Sequence, residues 1–173
     1  MFQRMATAFF VLLFVSCENK KQQSVYINPD NEVATSYHSA EVPYKENAGV
    51  KYVHVKVNGV GWDMIFDTGC SGTLLSLSEA RYLAAKGLID EQDILGTTHS
   101  QIADGSIVEN TVVNLRKVSI ITKDGGAIDC YNVKATISNN MNAPLLLGNE
   151  ILDEVAFDYT IDNANKIIFF NVK

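Results

Sequence analysis

No run of lysines or arginines occurs anywhere in the chain, whose net charge is -6 and whose pI is near 5.0. A nucleic-acid surface needs a concentrated basic patch, so that class of function is excluded. Histidine and cysteine are also scarce. His38, His54 and His99 are scattered, and neither they nor Cys17, Cys70 and Cys130 fall at metal-ligand spacing. No metal and no cofactor is expected. The apolar run from Met5 to Val15 is too short to cross a bilayer comfortably, because a spanning helix needs about 20 apolar residues. What is present is a globular composition, 47% hydrophobic and 20% charged. A length of 173 residues then suits one domain with a packed core over most of the chain.

Arg4 precedes the apolar run, and Ser16-Cys17 follow it ahead of the polar segment Glu18–Gln23. A basic start, a short apolar stretch and a small residue at its end describe a secretory signal peptide. With a cysteine directly behind, residues 1–16 resemble a bacterial lipoprotein signal, although Phe14 stands where that pattern usually has Leu. The resemblance implies cleavage before Cys17, acylation of Cys17, and a lipid anchor to a bacterial membrane. The protein would then face the periplasm or the cell exterior from the cell envelope. Residues 17–45 lack sustained periodicity, carry Pro29 and Pro43, and read as the acylated cysteine and a polar tether; Ser24–Ile27 offers a strand as the alternative. Outside the cytoplasm a disulfide between Cys70 and Cys130 is allowed. The simpler reading of Cys70 is a small buried thiol beside a turn.

Order is expected from about Val50 within a domain spanning 46–173. Val53, Val55 and Val57 alternate with His54 and Lys56, the period of a half-buried strand with His54 facing outward. Asn58-Gly59 marks a hairpin turn, and Val60–Phe66 returns as the second strand. That strand delivers Asp67 into the small-residue turn Thr68-Gly69-Cys70-Ser71-Gly72. A carboxylate there contributes nothing to a core, since burying it costs several kcal/mol unless it is paired. Gly69 permits a sharp turn, and the hydroxyls of Thr68 and Ser71 are placed to hold the carboxylate or a substrate backbone. Taken alone, Asp-x-Gly at a strand end is more often just a turn.

Further signals follow in order. Thr73–Ser76 reads as a short strand, and the segment from Ser78 to Gly87 as a helix. Ile102–Val108 contains Asp104-Gly105, the mark of a tight hairpin. Ala143–Leu152 is a short apolar strand, a glycine at 148, and a helical turn. Val155–Ile161 and Lys166–Val172 flank a turn at Asp162–Asn165. Two explanations fit the apolar last strand equally: pairing with a partner chain, or ordinary core for Phe169 and Phe170.

In this order the segments resemble a retropepsin-like aspartic protease, the single-lobe relative of pepsin. Asp67-Thr68-Gly69 matches the catalytic triplet, the segment around Asp104-Gly105-Ser106 the flap, and Leu146-Leu147-Gly148 the hydrophobic pair and glycine ahead of a helix. The likeness covers about 50–172. It implies an all-β fold, mainly strands with one or two short helices, forming a closed barrel with one lobe per chain. Cys70 departs from the usual Ala or Ser, Asn149-Glu150 departs at the helix start, and no Tyr or Trp lies near the flap tip.

The activity implied is peptide-bond hydrolysis by a water held between two aspartates. This chain has a single Asp-Thr-Gly; Asp104 belongs to the flap, and Asp158 and Asp162 read as a strand end and a turn. The second carboxylate is therefore expected from another copy, in a homodimer. By the resemblance, Thr68 bonds the neighbour's backbone and Gly69 receives the substrate. Ala103, Asp104, Gly105, Ser106 and Ile107 close over the substrate, and Ser71, Leu146, Leu147 and Gly148 support the fold. The competing class is a module of the same fold that holds a peptide without cleaving it. The intact Asp67-Thr68-Gly69 favours the enzyme, because an unpaired charge in a groove is costly to keep.

Overall fold

The computed structural model describes residues 38–101 and 105–173. The signal segment, Cys17, Ser24–Ile27, and Ala103 and Asp104 of the flap lie outside the described residues. No helix among the described residues is long and apolar enough to cross a membrane.

The hairpin at the start of the domain sets the frame. Strand β2 (Val50–Val57) buries Val53, Val55 and Val57 completely while His54 and Lys56 face water. Asn58 and Gly59 both take positive φ, 48° and 90°, the conformation a two-residue hairpin turn demands. Strand β3 (Val60–Phe66) then returns in register, Val57 opposite Val60 and Val53 opposite Met64. His54 faces outward as expected and meets Asp63 across the hairpin at 3.0 Å.

Six strands form a ring. Strand β6 (Ile107–Ile121) pairs with β7 (Ala127–Ile137), which pairs with β4 (Thr73–Leu75). Strand β4 meets the two-residue β8 (Leu146–Leu147), β8 meets β3, and β2 returns to β6. The pairings β3–β8 and β4–β7 are parallel and the others in the ring antiparallel. Inside lie Met64, Leu75, Leu115 and Ile120, all essentially without exposure. Helix α1 (Leu77–Ala85) is capped by Ser76, whose hydroxyl accepts from the Ser78 amide, and it buries Leu83. Helix α2 (Asn149–Val155) buries Ile151 and Leu152. The fold is thus mostly β with two short helices, as the sequence implies.

Outside the ring, β1 (His38–Asn47), β10 (Ile167–Val172) and β9 (Ala156–Asp162) extend the sheet. Strand β1 departs from expectation, since it occupies His38–Asn47, largely inside the stretch read as tether. It pairs with β10 from His38 to Pro43 and with β2 from Tyr44 to Asn47. Pro43 sits where the strand changes partners, a place where a missing N–H is tolerated. Strand β10 accordingly has β1 on one side and β9 on the other. The partner-chain explanation of this last strand is corrected: its neighbours come from its own chain, and Phe170 is core at 1% exposure. Cys70 and Cys130 are both free thiols. Burial, with Glu154 beside it, pushes the Cys130 thiol up to about 12.

The hairpin of β5 (Ile94–Gln101) and β6 is fixed at its base by charge. In the 3-10 turn Glu91–Asp93, the Asp93 carboxylate accepts from the Asp90 amide at 3.0 Å and from Arg116 Nε and Nη2 at 3.1 and 2.7 Å. Burial pushes the Asp93 acid up, but Arg116 and the Asp90 amide outweigh it and hold the group below the ordinary carboxylate range. An acid with a lowered folded-state value stabilises above its unfolded value, about 3.9. That contribution is lost as pH falls through the lower folded value. Arg116→Met strands a buried carboxylate, so its urea midpoint should fall at pH 7. The deficit should narrow as pH falls through the ordinary carboxylate range, because a protonated Asp93 no longer needs a cation. A deficit independent of pH would contradict this account.

Candidate active site

The site is built where β3 runs out. Phe66 is buried, packed edge-to-face on Tyr159 and Phe170 with ring centres 5.2 and 6.2 Å away. The next residue is therefore delivered to a fixed point. Strand β8 holds the same end from the side, with Ile65 opposite Leu146 and Phe66 opposite Leu147. The Ile65 amide donates to Leu145 O at 2.8 Å and the Asp67 amide to Leu147 O at 3.1 Å. On its other side β8 meets β4, Leu74 opposite Leu146. The apolar segment Leu145–Leu147 thus clamps both ends of the loop 67–72.

Asp67 is half-buried. Its Oδ1 accepts the Gly69 amide at 2.9 Å, and its carbonyl accepts the Cys70 amide at 3.3 Å. The hydroxyls of Thr68 and Ser71, expected to hold either the carboxylate or a substrate backbone, are exposed and make no hydrogen bond among the described residues, so they do not hold the carboxylate. The carboxylate is held by backbone instead. The Cys70 thiol, half-buried, donates to Gly72 O at 3.1 Å.

The start of α2 grips this loop. The Asn149 and Glu150 amides, which have no acceptor within the helix, donate to Cys70 O at 2.9 Å and Ser71 O at 2.8 Å. The Asn149 side-chain Nδ2 donates to Thr68 O at 2.8 Å. Gly148 makes the approach possible. A methyl there would stand 2.2 Å from Gly72 O and 2.8 Å from Cys70 O. The requirement is for space, since Gly148 has an ordinary extended backbone with φ -93° and ψ 178°.

The structure thus brings Asp67, Thr68, Gly69, Ser71, Leu146, Leu147 and Gly148 into one unit. Of the flap, Gly105, Ser106 and Ile107 are exposed where β6 begins, with Ile107 opposite Gln101. The other acids considered are engaged in the terminal hairpin. Asp162 accepts from the Asn165 side chain and from the Asn165 and Ala164 amides, which hold it below the ordinary range. Asp158 lies within β9, not at its end, and accepts from Asn171. Asn149 was noted in the sequence only as a departure at the helix start. Its one local signal is an amide side chain directly after a glycine that opens a helix.

Gly148→Ala should push the loop carbonyls away and destabilise the protein by about 3 kcal/mol, the upper part of the usual overpacking range. Chemical denaturation measures it, and a cost below about 1 kcal/mol would show that the approach is looser than described.

The family model described as gag-polyprotein putative aspartyl protease matches residues 53–154. Among solved structures, the chain is similar to a retropepsin-like aspartic protease from Rickettsia conorii, with TM-score 0.58 and 22% identity over 79% of this chain and 94% of that one. It is also similar to the retroviral protease-like domain of Ddi1 from Leishmania major, with TM-score 0.45 and 15% identity over 69% and 86% of the two chains. A search of curated proteins found no match. The Rickettsia likeness is one of fold. The family match spans more than half of the chain, including β3, β4, β8 and the start of α2 around the Asp67 loop, and the chain accordingly belongs to the gag-polyprotein putative aspartyl protease family.

Proposed function

We propose that the chain is an aspartic endopeptidase whose catalytic carboxylates, two copies of Asp67, meet across a homodimer. The observation that carries this reading is the state of Asp67. The carboxylate stands partly open at the end of a clamped strand, with one oxygen fixed by the Gly69 amide. An acid so placed is oriented for chemistry and adds little to packing.

Two such carboxylates facing one another cannot readily both ionise, so one keeps a proton that the other lacks. The ionised member takes a proton from a water held between them, and the water oxygen attacks the substrate carbonyl. The protonated member gives its proton toward that carbonyl oxygen. As the tetrahedral species collapses, the C–N bond breaks, the departing nitrogen takes up a proton from the pair, and a hydroxyl of the tetrahedral species returns one to it as the product carboxyl forms. The pair titrates as a unit, and neither subunit owns the proton. Thr68 bonds the neighbouring backbone beneath the pair, Gly69 receives substrate backbone, and residues 103–107 close over the cleft. Since β10 is enclosed by β1 and β9, the dimer rests on the face that carries Thr68 and Gly69. Acylation of Cys17 tethers the enzyme to a bacterial membrane, outside the cytoplasm.

The test compares the purified protein with its Asp67→Asn variant on a mixed peptide library from acid to neutral pH, with sedimentation of the same samples. The native protein should cleave and sediment as a dimer, and the variant should lose about 10²–10⁴-fold in rate. Equal cleavage by both would sink the proteolytic reading. Cleavage by neither would favour a module that binds peptide without hydrolysing it, and a strictly monomeric active protein would contradict the shared pair.

A further inference from the structure

We propose that Asn149 is a positioning residue for Asp67, acting through the peptide that joins Thr68 to Gly69; the inference rests on the proteolytic reading of Asp67. The two ends of that one peptide unit carry the argument. Its carbonyl, on Thr68, accepts the Asn149 Nδ2 proton at 2.8 Å. Its N–H, on Gly69, donates to Asp67 Oδ1 at 2.9 Å. A peptide unit is planar, so a donor that fixes the direction of the carbonyl also fixes the direction of the N–H. Hydrogen bonds in such a chain also polarise one another, which strengthens the bond to the carboxylate.

Without the amide of Asn149, this peptide has little to hold its orientation. Thr68 and Gly69 are both exposed, and Gly69 has no Cβ to restrict rotation. Asp67 Oδ2 has no hydrogen bond among the described residues, so the bond to Oδ1 decides which oxygen faces the cleft. Asn149 is itself well anchored, because its own amide donates to Cys70 O at 2.9 Å. The residue therefore spans two carbonyls of the loop.

The role is separable from folding. The other bonds that tie the loop to its surroundings, from Asp67 N to Leu147 O, Asn149 N to Cys70 O and Glu150 N to Ser71 O, are backbone. They survive a change of side chain at position 149. A purely structural asparagine and a positioning one thus predict different outcomes.

The experiment uses the full chain with Asn149→Leu, similar in shape but without a donor, and Asn149→Gln, which keeps the donor on a longer arm. Glycine-selective isotope labelling reports on eleven amides, with Gly69 recognised by its response to Asp67→Asn. Asn149→Leu should lose about 10–100-fold in kcat, the scale of a small misplacement of a reacting group, with KM and the urea midpoint near those of the native protein. The Gly69 amide should move toward the position of a water-bonded amide, and Asn149→Gln should restore most of kcat. Native kcat with an unmoved Gly69 amide in Asn149→Leu would overturn the proposal. So would a loss of kcat that follows the urea midpoint and is no smaller in Asn149→Gln. If the native protein cleaves nothing, the proteolytic reading falls by itself. The Gly69 amide then decides alone, a shift supporting the positioning of Asp67 and no shift refuting it.

Discussion

The close approach of Gly148 to the carbonyls of Cys70 and Gly72 is the constraint on which the site depends. Because there is no side chain at 148, the first amides of α2 can reach Cys70 O and Ser71 O. These are the donors a helix start leaves unpaired, and the carbonyls they find belong to a loop with no sheet partners of its own. Each side satisfies the other. The loop gains a rigid support, the helix gains its cap, and the carboxylate between them spends only part of its hydrogen-bonding capacity on structure. Among the described residues only Oδ1 is engaged, and by a backbone amide of the same loop.

Strand β8 shows the same economy. Two residues are too few to be a strand on their own; they become one because β3 and β4 lie on either side. This also closes the ring, since β8 is the step between the hairpin that carries Asp67 and the strand that follows the loop. The geometry of the site and the closure of the barrel are therefore one fact. The apolar character of Leu145–Leu147 serves both, Leu147 as core and Leu146 by pairing with both Ile65 and Leu74.

What the sequence discloses follows the range of the interactions. Asn58-Gly59, the alternating valines and the Asp67 turn are local, and each stands in the structure as its residues dictate. Strand β1 is hidden because only Val42 and Tyr44, on either side of Pro43, are fully buried, and because its first partner is β10 at the far end of the chain. The same omission leaves pairing with a partner chain open beside ordinary core for the last strand, when β1 already covers it. The hydroxyls of Thr68 and Ser71 were reasonable candidates to hold the carboxylate by chemistry alone. The backbone of Gly69 does so instead, and backbone geometry leaves no trace in residue type. Asn149 is hidden for a related reason. Its value lies in a contact to Thr68 that exists only once α2 is docked on the loop.

Enclosure of β10 has a consequence for assembly under the proposed dimer. A terminal strand that is already paired on both sides cannot contribute a ladder of backbone bonds to a second copy. Among the described residues the free edge of the terminal sheet is β9, which carries Asp158 and Asp162, and acidic side chains on an edge discourage strand pairing. Association then has to be drawn from the loop face and the flap, the same surface that holds the carboxylates. On that face the two acids of the proposed dimer would approach, and their repulsion would oppose it unless one of them kept a proton. Substrate in the cleft touches both subunits and so adds contacts that neither copy makes alone. Assembly and catalysis would in that case draw on one small surface, and a chain tethered to a membrane by its N-terminus would meet its twin more often than one free in solution.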